Sequence, residues 1–506
     1  MEMNILSFFT MKGMAVLSTL FVMLVGIAVL IFIVLFIIDI RQTKDAVRHN
    51  FPVMGRFRGL FIHLGEFFRQ YFFAMDREEM PFNRAERRWI SRSSAGVDNT
   101  IAFGSTRNLS HAGMPIFVNA PYALLDEDAR TPDAIVFGPY SKYPYETSAL
   151  IGISAMSYGA LSKPAIIALS RGAKLANIYL NTGEGGLSPH HLEGGCDIVF
   201  QIGTAKYGVR NEDGSLNIDR LKDIVERPQV KMVELKMSQG AKPGKGGMLP
   251  GVKVTGEIAD IRSIPRGEAS ISPNRHPEIG NNEQLLDFIN QLQEISQKPV
   301  GFKMVISDVE WLEDLCLCIH ARGDRYAPDF ITIDGGDGGT GAAPMPLMDN
   351  VGLPVKEALP AVVDVITRYG LRPRIKIIAS GKLITPVEIA YAYCAGADMV
   401  NGARGFMFAL GCIQALKCNR NTCPTGITTH NLRLQSGLDP ARKAIRVKNY
   451  VGKIDYGIGL IAHSCGVPEP RSLLRKHCRV SQGNGTSRPL SKIYPPVSPD
   501  KDYVVK

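Results

Sequence analysis

Hydrophobic positions follow two different patterns along this chain. Met14–Ile38 is one continuous run, MAVLSTLFVMLVGIAVLIFIVLFII, without a charged residue. At about 1.5 Å per residue such a helix exceeds the roughly 30 Å hydrocarbon core of a bilayer, so the run predicts a membrane-spanning helix with some tilt. A cleaved secretory signal would have a shorter apolar stretch and a small-residue cleavage site, so a span is expected instead. Residues 51–75, FPVMGRFRGLFIHLGEFFRQYFFAM, mix Phe with Arg and predict an amphipathic helix, lying on a membrane or against a folded body.

Beyond residue 148 the pattern changes to short apolar runs between helix-like stretches. They are 149–157, 177–183, 197–203, 232–238, 299–305, 329–335, 374–380 and 398–403, most ending in Gly, Ser or Asn. Parallel strands buried on both faces have this composition. Eight of them alternating with helices predict a closed (β/α)8 TIM barrel in the α/β class. An open doubly wound sheet is the alternative, weakened because no G-x-G-x-x-G follows the first run. The expected organisation is a tail over 1–13, a transmembrane helix over 14–38, a juxtamembrane amphipathic and irregular lead-in segment over 39–147, the barrel over 148–480 and a C-terminal tail over 481–506.

Charge gives that organisation a direction. Only Lys12 and Glu2 precede the apolar run, whereas Arg41, Lys44, Arg48, Arg56 and Arg58 follow it. The positive-inside bias predicts a single-pass membrane protein with its barrel in the cytoplasm. The nine cysteines of the 506-residue chain would be kept reduced there. The net charge of +10 is accounted for by basic residues near anionic headgroups. No aromatic-rich basic signature for nucleic acid is present.

Candidate chemistry concentrates in two places. Cys412, Cys418 and Cys423 form a C-x5-C-x4-C array in GCIQALKCNRNTCPTG. Structural zinc wants four ligands, and no second half is present, so three thiolates and a Cys-Pro step suit an iron–sulfur cluster, with three irons rather than four. Chance clustering of small buried cysteines is the plain alternative. The second place is the set of loops after the strands, where a barrel carries its chemistry. Ser380-Gly381, Gly402-Ala403-Arg404 and DGGDGGTGAAP (334–344), with Gly338 and Gly339, put small residues where backbone N–H groups can hold a phosphate. A cluster moves single electrons, and a flavin converts them to hydride, so FMN is the expected partner.

The motifs ISAMSYGALSKPA, NTGEGG, KMSQGAKPGKGGMLPGVKV, DGGDGGTGAAP and CNRNTCPTG together resemble the synthase domain of the glutamate synthase large chain, in the same order. The resemblance covers roughly residues 148–470. It implies a TIM barrel with FMN and a 3Fe–4S cluster, reducing the imine of 2-oxoglutarate and ammonia to glutamate. On it, Cys412, Cys418 and Cys423 become cluster ligands and Glu184 the catalytic glutamate beside the flavin, able to donate or relay a proton. Lys242 and Arg262 match positions that bind substrate carboxylates. Met156, Ser157, Asn181, Lys303, Gly338, Gly339, Ser380, Gly381, Gly402 and Ala403 fall to the cofactor, with Lys303 placed to offset charge on reduced flavin.

Three departures bear on the expected activity. The family's glutaminase domain starts with a catalytic cysteine, but Met1 is followed here by Glu2; the glycine-repeat domain also has no counterpart. Ammonia is therefore expected from solution or a separate amidotransferase, and electrons from a ferredoxin-like donor. Met248 stands where the family usually has a Gln that helps recognise 2-oxoglutarate, and thioether sulfur cannot donate a hydrogen bond. The loop NRHPEIG also differs. The expected substrate is a 2-oxo acid or amino acid. The alternatives are an FMN/iron–sulfur dehydrogenase of an amine or hydroxy acid that feeds a membrane carrier, and a catalytically silent anchored partner subunit.

Overall fold

The eight apolar runs form eight parallel strands of a computed structural model that describes residues 2–42, 46–68, 72 and 76–503. These are β1 (Ile151–Ile153), β2 (Leu180–Asn181), β3 (Ile198–Ile202), β4 (Val230–Lys236), β5 (Val300–Met304), β6 (Phe330–Asp334), β7 (Lys376–Ser380) and β8 (Met399–Gly402). Each pairs with its neighbours in sequence, and β8 pairs with β1, which closes the barrel. Ile, Val, Leu and Phe fill these strands because both faces are covered, one by the barrel interior and the other by helices. Helix Lys163–Ala176 begins at Ser162, whose hydroxyl accepts the Ala165 N–H, and ends at Asn177 in the left-handed region.

The N-terminal mouth of the barrel is plugged. Strands Ile135–Phe137 and Tyr145–Thr147 form a hairpin whose Phe137 stacks on Tyr145 and meets Phe330 edge-on at 5.8 Å. With Tyr179, Val199, Met232, Ile378 and Met399 they make one buried cluster. The other mouth stays polar, so the chemistry is confined to the C-terminal ends of the strands.

The division of the chain differs from the expected one. It separates into Met1–Ala85 and Glu86–Lys506, so the body begins well before residue 148. Helix Arg84–Ser94 sets Trp89 against Tyr450, and Asn449 donates to the Ser94 carbonyl. Strand Pro115–Phe117 pairs with Cys478–Val480, and Ser487–Pro489 extends the same sheet. Tyr503 stacks on His320 at 4.7 Å. These segments are too short to order themselves and take their conformation from tertiary contacts, which is why they read as irregular lead-in and tail.

In the N-terminal unit, α1 (Glu2–Arg41), α2 (Ala46–Asn50) and α3 (Met54–Phe68) follow one another. Lys12–Arg41 is long and apolar enough to cross a membrane, and its most apolar stretch is not buried. Asp39, at its end, is fully buried and accepts bonds from the Arg48 and Arg56 guanidinium groups and from the Val53 N–H, all between 2.8 and 3.3 Å. On α3, Phe57, Leu60, Phe61, Leu64, Phe67 and Phe68 are exposed at helical spacing. Of the expected 51–75 helix, residues 69–71 and 73–75 lie outside the described residues.

Candidate active site

Charge at the C-terminal mouth is arranged in a line across four loops and strands. Lys236 and Lys303 end β4 and β5 and are direct partners in the parallel register. Each has a carboxylate on its outer side: Lys236 Nζ lies 3.0 Å from Glu184 Oε2, and Lys303 Nζ lies 3.6 Å from Asp334 Oδ2. Asp334 Oδ2 also accepts the Gly240 N–H at 2.9 Å. Burial lowers the Lys236 pKa, and the neighbouring Lys303 adds to that, while Glu184 opposes it. Burial would raise the Glu184 carboxyl, but Lys236, Lys242 and Arg262 overcome it and hold its pKa below the ordinary value, so Glu184 is an anion at neutral pH.

Glu184 is wedged between two glycines. A Cβ on Gly203 would come within 2.6 Å of the Glu184 Cβ, and one on Gly247 would overlap Glu184 Oε1. The turn that carries Glu184 also needs Gly183, at φ +64°, whose missing side chain admits the Ser157 N–H and the Met156 backbone at 2.6–3.0 Å. NTGEGG therefore packs directly on the ISAMSYG loop.

Arg262 reaches the same place from the end of helix Gly256–Arg262. Its Nη2 donates to Ser157 Oγ and the Tyr158 carbonyl, both at 3.3 Å, and its Nη1 to Ser270 Oγ at 3.2 Å. The guanidinium lies over the Tyr207 ring at 5.0 Å, and Nε is buried without a hydrogen-bond partner. Lys242 is 4% exposed; its carbonyl accepts the Lys245 N–H, and its ammonium makes no ion pair among the described residues. Burial, reinforced by Lys236, lowers its pKa to about 8. An ammonium held close to its own deprotonation point, beside a buried guanidinium, is suited to an anionic ligand that restores its charge.

One layer deeper, Glu234 Oε2 accepts from Asn181 Nδ2 at 2.8 Å and Gln201 Nε2 at 2.5 Å, and its Oε1 from Thr332 Oγ1 at 2.7 Å. This satisfied carboxylate forms the floor. Asn181 thus spends its amide donor on the floor and its oxygen on the Gly183 N–H.

The phosphate-type loops converge. The Gly335 N–H donates to the Ser380 carbonyl at 2.8 Å, and a Cβ on Gly381 would lie 3.2 Å from the Gly335 nitrogen. Gly338 approaches Gly240 at the same point, and the Arg404 guanidinium covers Gly339 so closely that no Cβ would fit. The Gly402 carbonyl accepts from the Ser154 N–H, with Ala403 leading into helix Arg404–Leu410. Arg404 also faces Cys412, Cys418 and Asp334; burial lowers its pKa and these groups oppose that.

The cysteine loop packs against the other side of the ISAMSYGAL segment. The Ser162 N–H donates to the Ile427 carbonyl at 2.8 Å, and His430 Nε2 lies 2.8 Å from the Gly159 carbonyl. Cys412 is pushed up to about 11 by burial and by the neighbouring Cys418 and Cys423 thiols. Burial raises Cys423 but hydroxyl contacts from Thr425 and Thr428 bring it below its ordinary value. The three thiols therefore share one neighbourhood, although no group of three or more His, Cys, Asp or Glu among the described residues is arranged to hold a metal ion.

The structure thus gathers Ser157, Glu184, Lys242 and Arg262 in one pocket, Lys303 and the glycine loops beside it, and the cysteines behind the wall segment 157–162. It does not bring Met248 to Glu184: strand alternation turns Gly247 inward, and Met248 is 57% exposed, opposite Ile271. Several groups escaped the sequence. Lys236 had the same signal as Lys303, a lysine ending an apolar run. His276, from NRHPEIG, contacts the Lys236 carbonyl at 3.0 Å, and burial pushes it down to about 4; nothing local in the sequence marks that contact.

Fold and site together define an α/β-barrel enzyme with a cationic pocket at the C-terminal mouth. Residues 119–467 match the family model described as a conserved region in glutamate synthase. The chain is 39% identical over 502 residues to the glutamate synthase large subunit-like protein YerD of Bacillus subtilis, covering 92% of this chain and 95% of that protein. It is 36% identical over 328 residues to the archaeal glutamate synthase [NADPH] of Methanocaldococcus jannaschii, covering 64% of this chain and 60% of that protein. Among solved structures, the monotopic membrane protein (S)-mandelate dehydrogenase is 14% identical, with a TM-score of 0.45 over 72% of this chain and 87% of that one. The chain belongs to the glutamate synthase family and is a glutamate-synthase-like oxidoreductase.

Proposed function

We propose that this protein uses FMN and a 3Fe–4S cluster to reduce an imine, formed from a 2-oxo acid and ammonia, to the amino acid, with 2-oxoglutarate and glutamate as the leading pair. The observation that carries it is the buried Glu184–Lys236 pair flanked by Lys242 and Arg262, with only the 157–162 wall between that pocket and three cysteines.

The residues suit both groups. Met156, Ser157, Asn181, Lys303, Gly338, Gly339, Ser380, Gly381, Gly402 and Ala403 surround a cradle that Cβ atoms would fill, with a lysine poised for anionic flavin. Three thiols on one loop are the donor set of a three-iron cluster. When bound, the flavin supplies hydride and the cluster supplies single electrons. Lys242 and Arg262 bind substrate carboxylate. Glu184 and Lys236 share a proton between Oε2 and Nζ, and that proton goes to the substrate nitrogen as its carbon is reduced. Tyr158, Arg262 and the wall segment keep bulk water from the carbon side.

Helix α1 anchors the protein through residues 14–38, with the barrel on the cytoplasmic side, where Arg41, Lys44 and Arg48 follow the span. A ferredoxin-like donor supplies electrons, and free ammonia or a separate amidotransferase supplies nitrogen. The anchor favours a second reading, in which an amine or hydroxy acid is oxidised and electrons leave to a lipid-soluble carrier.

Protein purified without air tests both. Flavin, iron and sulfide in the sample, and flavin reoxidation by 2-oxoglutarate only when ammonia is present, are expected. Flavin reduction by an amino or hydroxy acid, with no ammonia-dependent reoxidation by any 2-oxo acid, would establish the second reading instead.

A further inference from the structure

The buried cation that the pocket chemistry leaves unused is Lys253. It sits in the turn Gly251–Lys253, two residues ahead of helix Gly256–Arg262, and is only 2% exposed. Its ammonium donates to the Ala160 carbonyl at 2.9 Å and to the Cys418 carbonyl at 3.3 Å. No Asp or Glu pairs with it among the described residues. The groups it faces are the Cys418 and Cys423 thiols, which are negative only as thiolates.

A buried ammonium held only by two carbonyls is costly, since dipoles do not replace a counter-charge. Lys206, equally hidden, shows the usual arrangement, with Glu278 at 2.7 Å. Lys253 has no such carboxylate, and the cysteine loop lies where one would be. The charge balances once that loop carries an anionic group.

We propose that Lys253 is a positioning and charge-balancing residue for the redox group held by Cys412, Cys418 and Cys423, making that group easier to reduce and clamping it to the wall of the flavin pocket. This rests on the cluster reading given above. One-electron reduction adds a negative charge without making or breaking a bond. A fixed cation in a poorly screened interior stabilises the reduced state more than the oxidised one, which raises the potential. Through Ala160 the same ammonium joins the cysteine loop to the segment that carries Ser157. The Ser162–Ile427 and His430–Gly159 contacts hold that joint independently, so the fold does not depend on Lys253 alone.

The test uses full-length protein purified anaerobically in detergent, with iron and sulfide counted and the cluster titrated with dithionite under spectroscopic observation. Wild type is compared with K253M, K253Q and K253R. Retention of iron and sulfide in all four, with a midpoint shifted to more negative potential in K253M and K253Q but not in K253R, is the expected result. Loss of iron in K253M and K253Q alone also supports the proposal, because charge is then what the group requires. Wild-type midpoints in K253M and K253Q overturn it, as does loss of iron in all three variants, which would mark a purely structural clamp. Wild-type protein without iron or sulfide defeats the cluster reading itself, and is seen before any substitution is made.

Discussion

The two units of this chain distribute polarity in opposite ways. In Met1–Ala85 the described large apolar side chains of α1 and α3 face outward, while a carboxylate, Asp39, is fully hidden with two arginines around it. In Glu86–Lys506 the apolar side chains are hidden, and charge gathers at one mouth of the barrel. The barrel hides its apolar side chains, as the hydrophobic effect demands in water, while the first unit leaves a helix long and apolar enough to cross a membrane with its apolar side chains outside. The difference also separates two kinds of buried charge: that of Asp39 ties helices together, whereas those of Lys236, Lys242 and Arg262 gather around one carboxylate, Glu184.

The strongest way to break this comparison is to remove one side of it. Deleting residues 1–75 is expected to move the protein completely from the membrane fraction to the supernatant, with the barrel's circular dichroism and melting behaviour intact. Full-length chain that sediments free of membranes would remove the lipid-facing account of α1. On the barrel side, Glu184→Gln keeps the shape but removes the carboxylate that shares the Lys236 proton. A fall in turnover of roughly 10²–10⁴-fold is expected, with little change in cofactor content. Unchanged turnover takes Glu184 out of the mechanism.

A smaller effect is expected from Gly247→Ala. The added methyl overlaps the flexible end of Glu184 rather than backbone, so the carboxylate moves while the fold survives. A displacement of about 1 Å is worth on the order of 10²-fold in rate. The check is steady-state kinetics beside a melting curve: lost stability with full activity would contradict the geometry.

The mildest test is pH. Lys242 has a folded pKa of about 8, below its ordinary value near 10.5. The unfolded chain therefore binds more protons between these values, so the burial of Lys242 opposes folding fully below pH ~8 and is relieved as pH rises toward ~10.5. Substrate binding has the opposite dependence, because a carboxylate needs the ammonium. KM for the 2-oxo acid is expected to be flat below about pH 8 and to rise by up to about tenfold per unit above it. Lys242→Met should raise KM and flatten that profile; a profile unchanged by the substitution assigns the titration elsewhere.

All eight barrel strands were legible in the sequence because strands covered on both faces read as near-continuous apolar runs. The hairpin at 135–147 was not, since three-residue strands carry no period and exist only because Phe137 and Tyr145 have the barrel's end to fill. Within the site, Glu184 and Lys242 stood in glycine-rich motifs, and Arg262 was named through the family resemblance alone. Lys236 was missed although it ends an apolar run as Lys303 does. Its pairing with Glu184 spans loops far apart in sequence, and only closure of the barrel brings them together. His276 and Lys253 lacked even that signal, because their roles depend on single carbonyls of distant segments.

The short strand Met248–Leu249, with Gly247 before it, has a consequence for how this enzyme can diversify. One position of the arm must stay bare, since anything larger than hydrogen would jostle the proton-handling carboxylate. The very next one looks out toward whatever arrives. On the function proposed above, selectivity and chemistry fall to adjacent links of the same ribbon that face opposite ways, so a new preference can be written at the rim while the machinery behind it keeps its alignment.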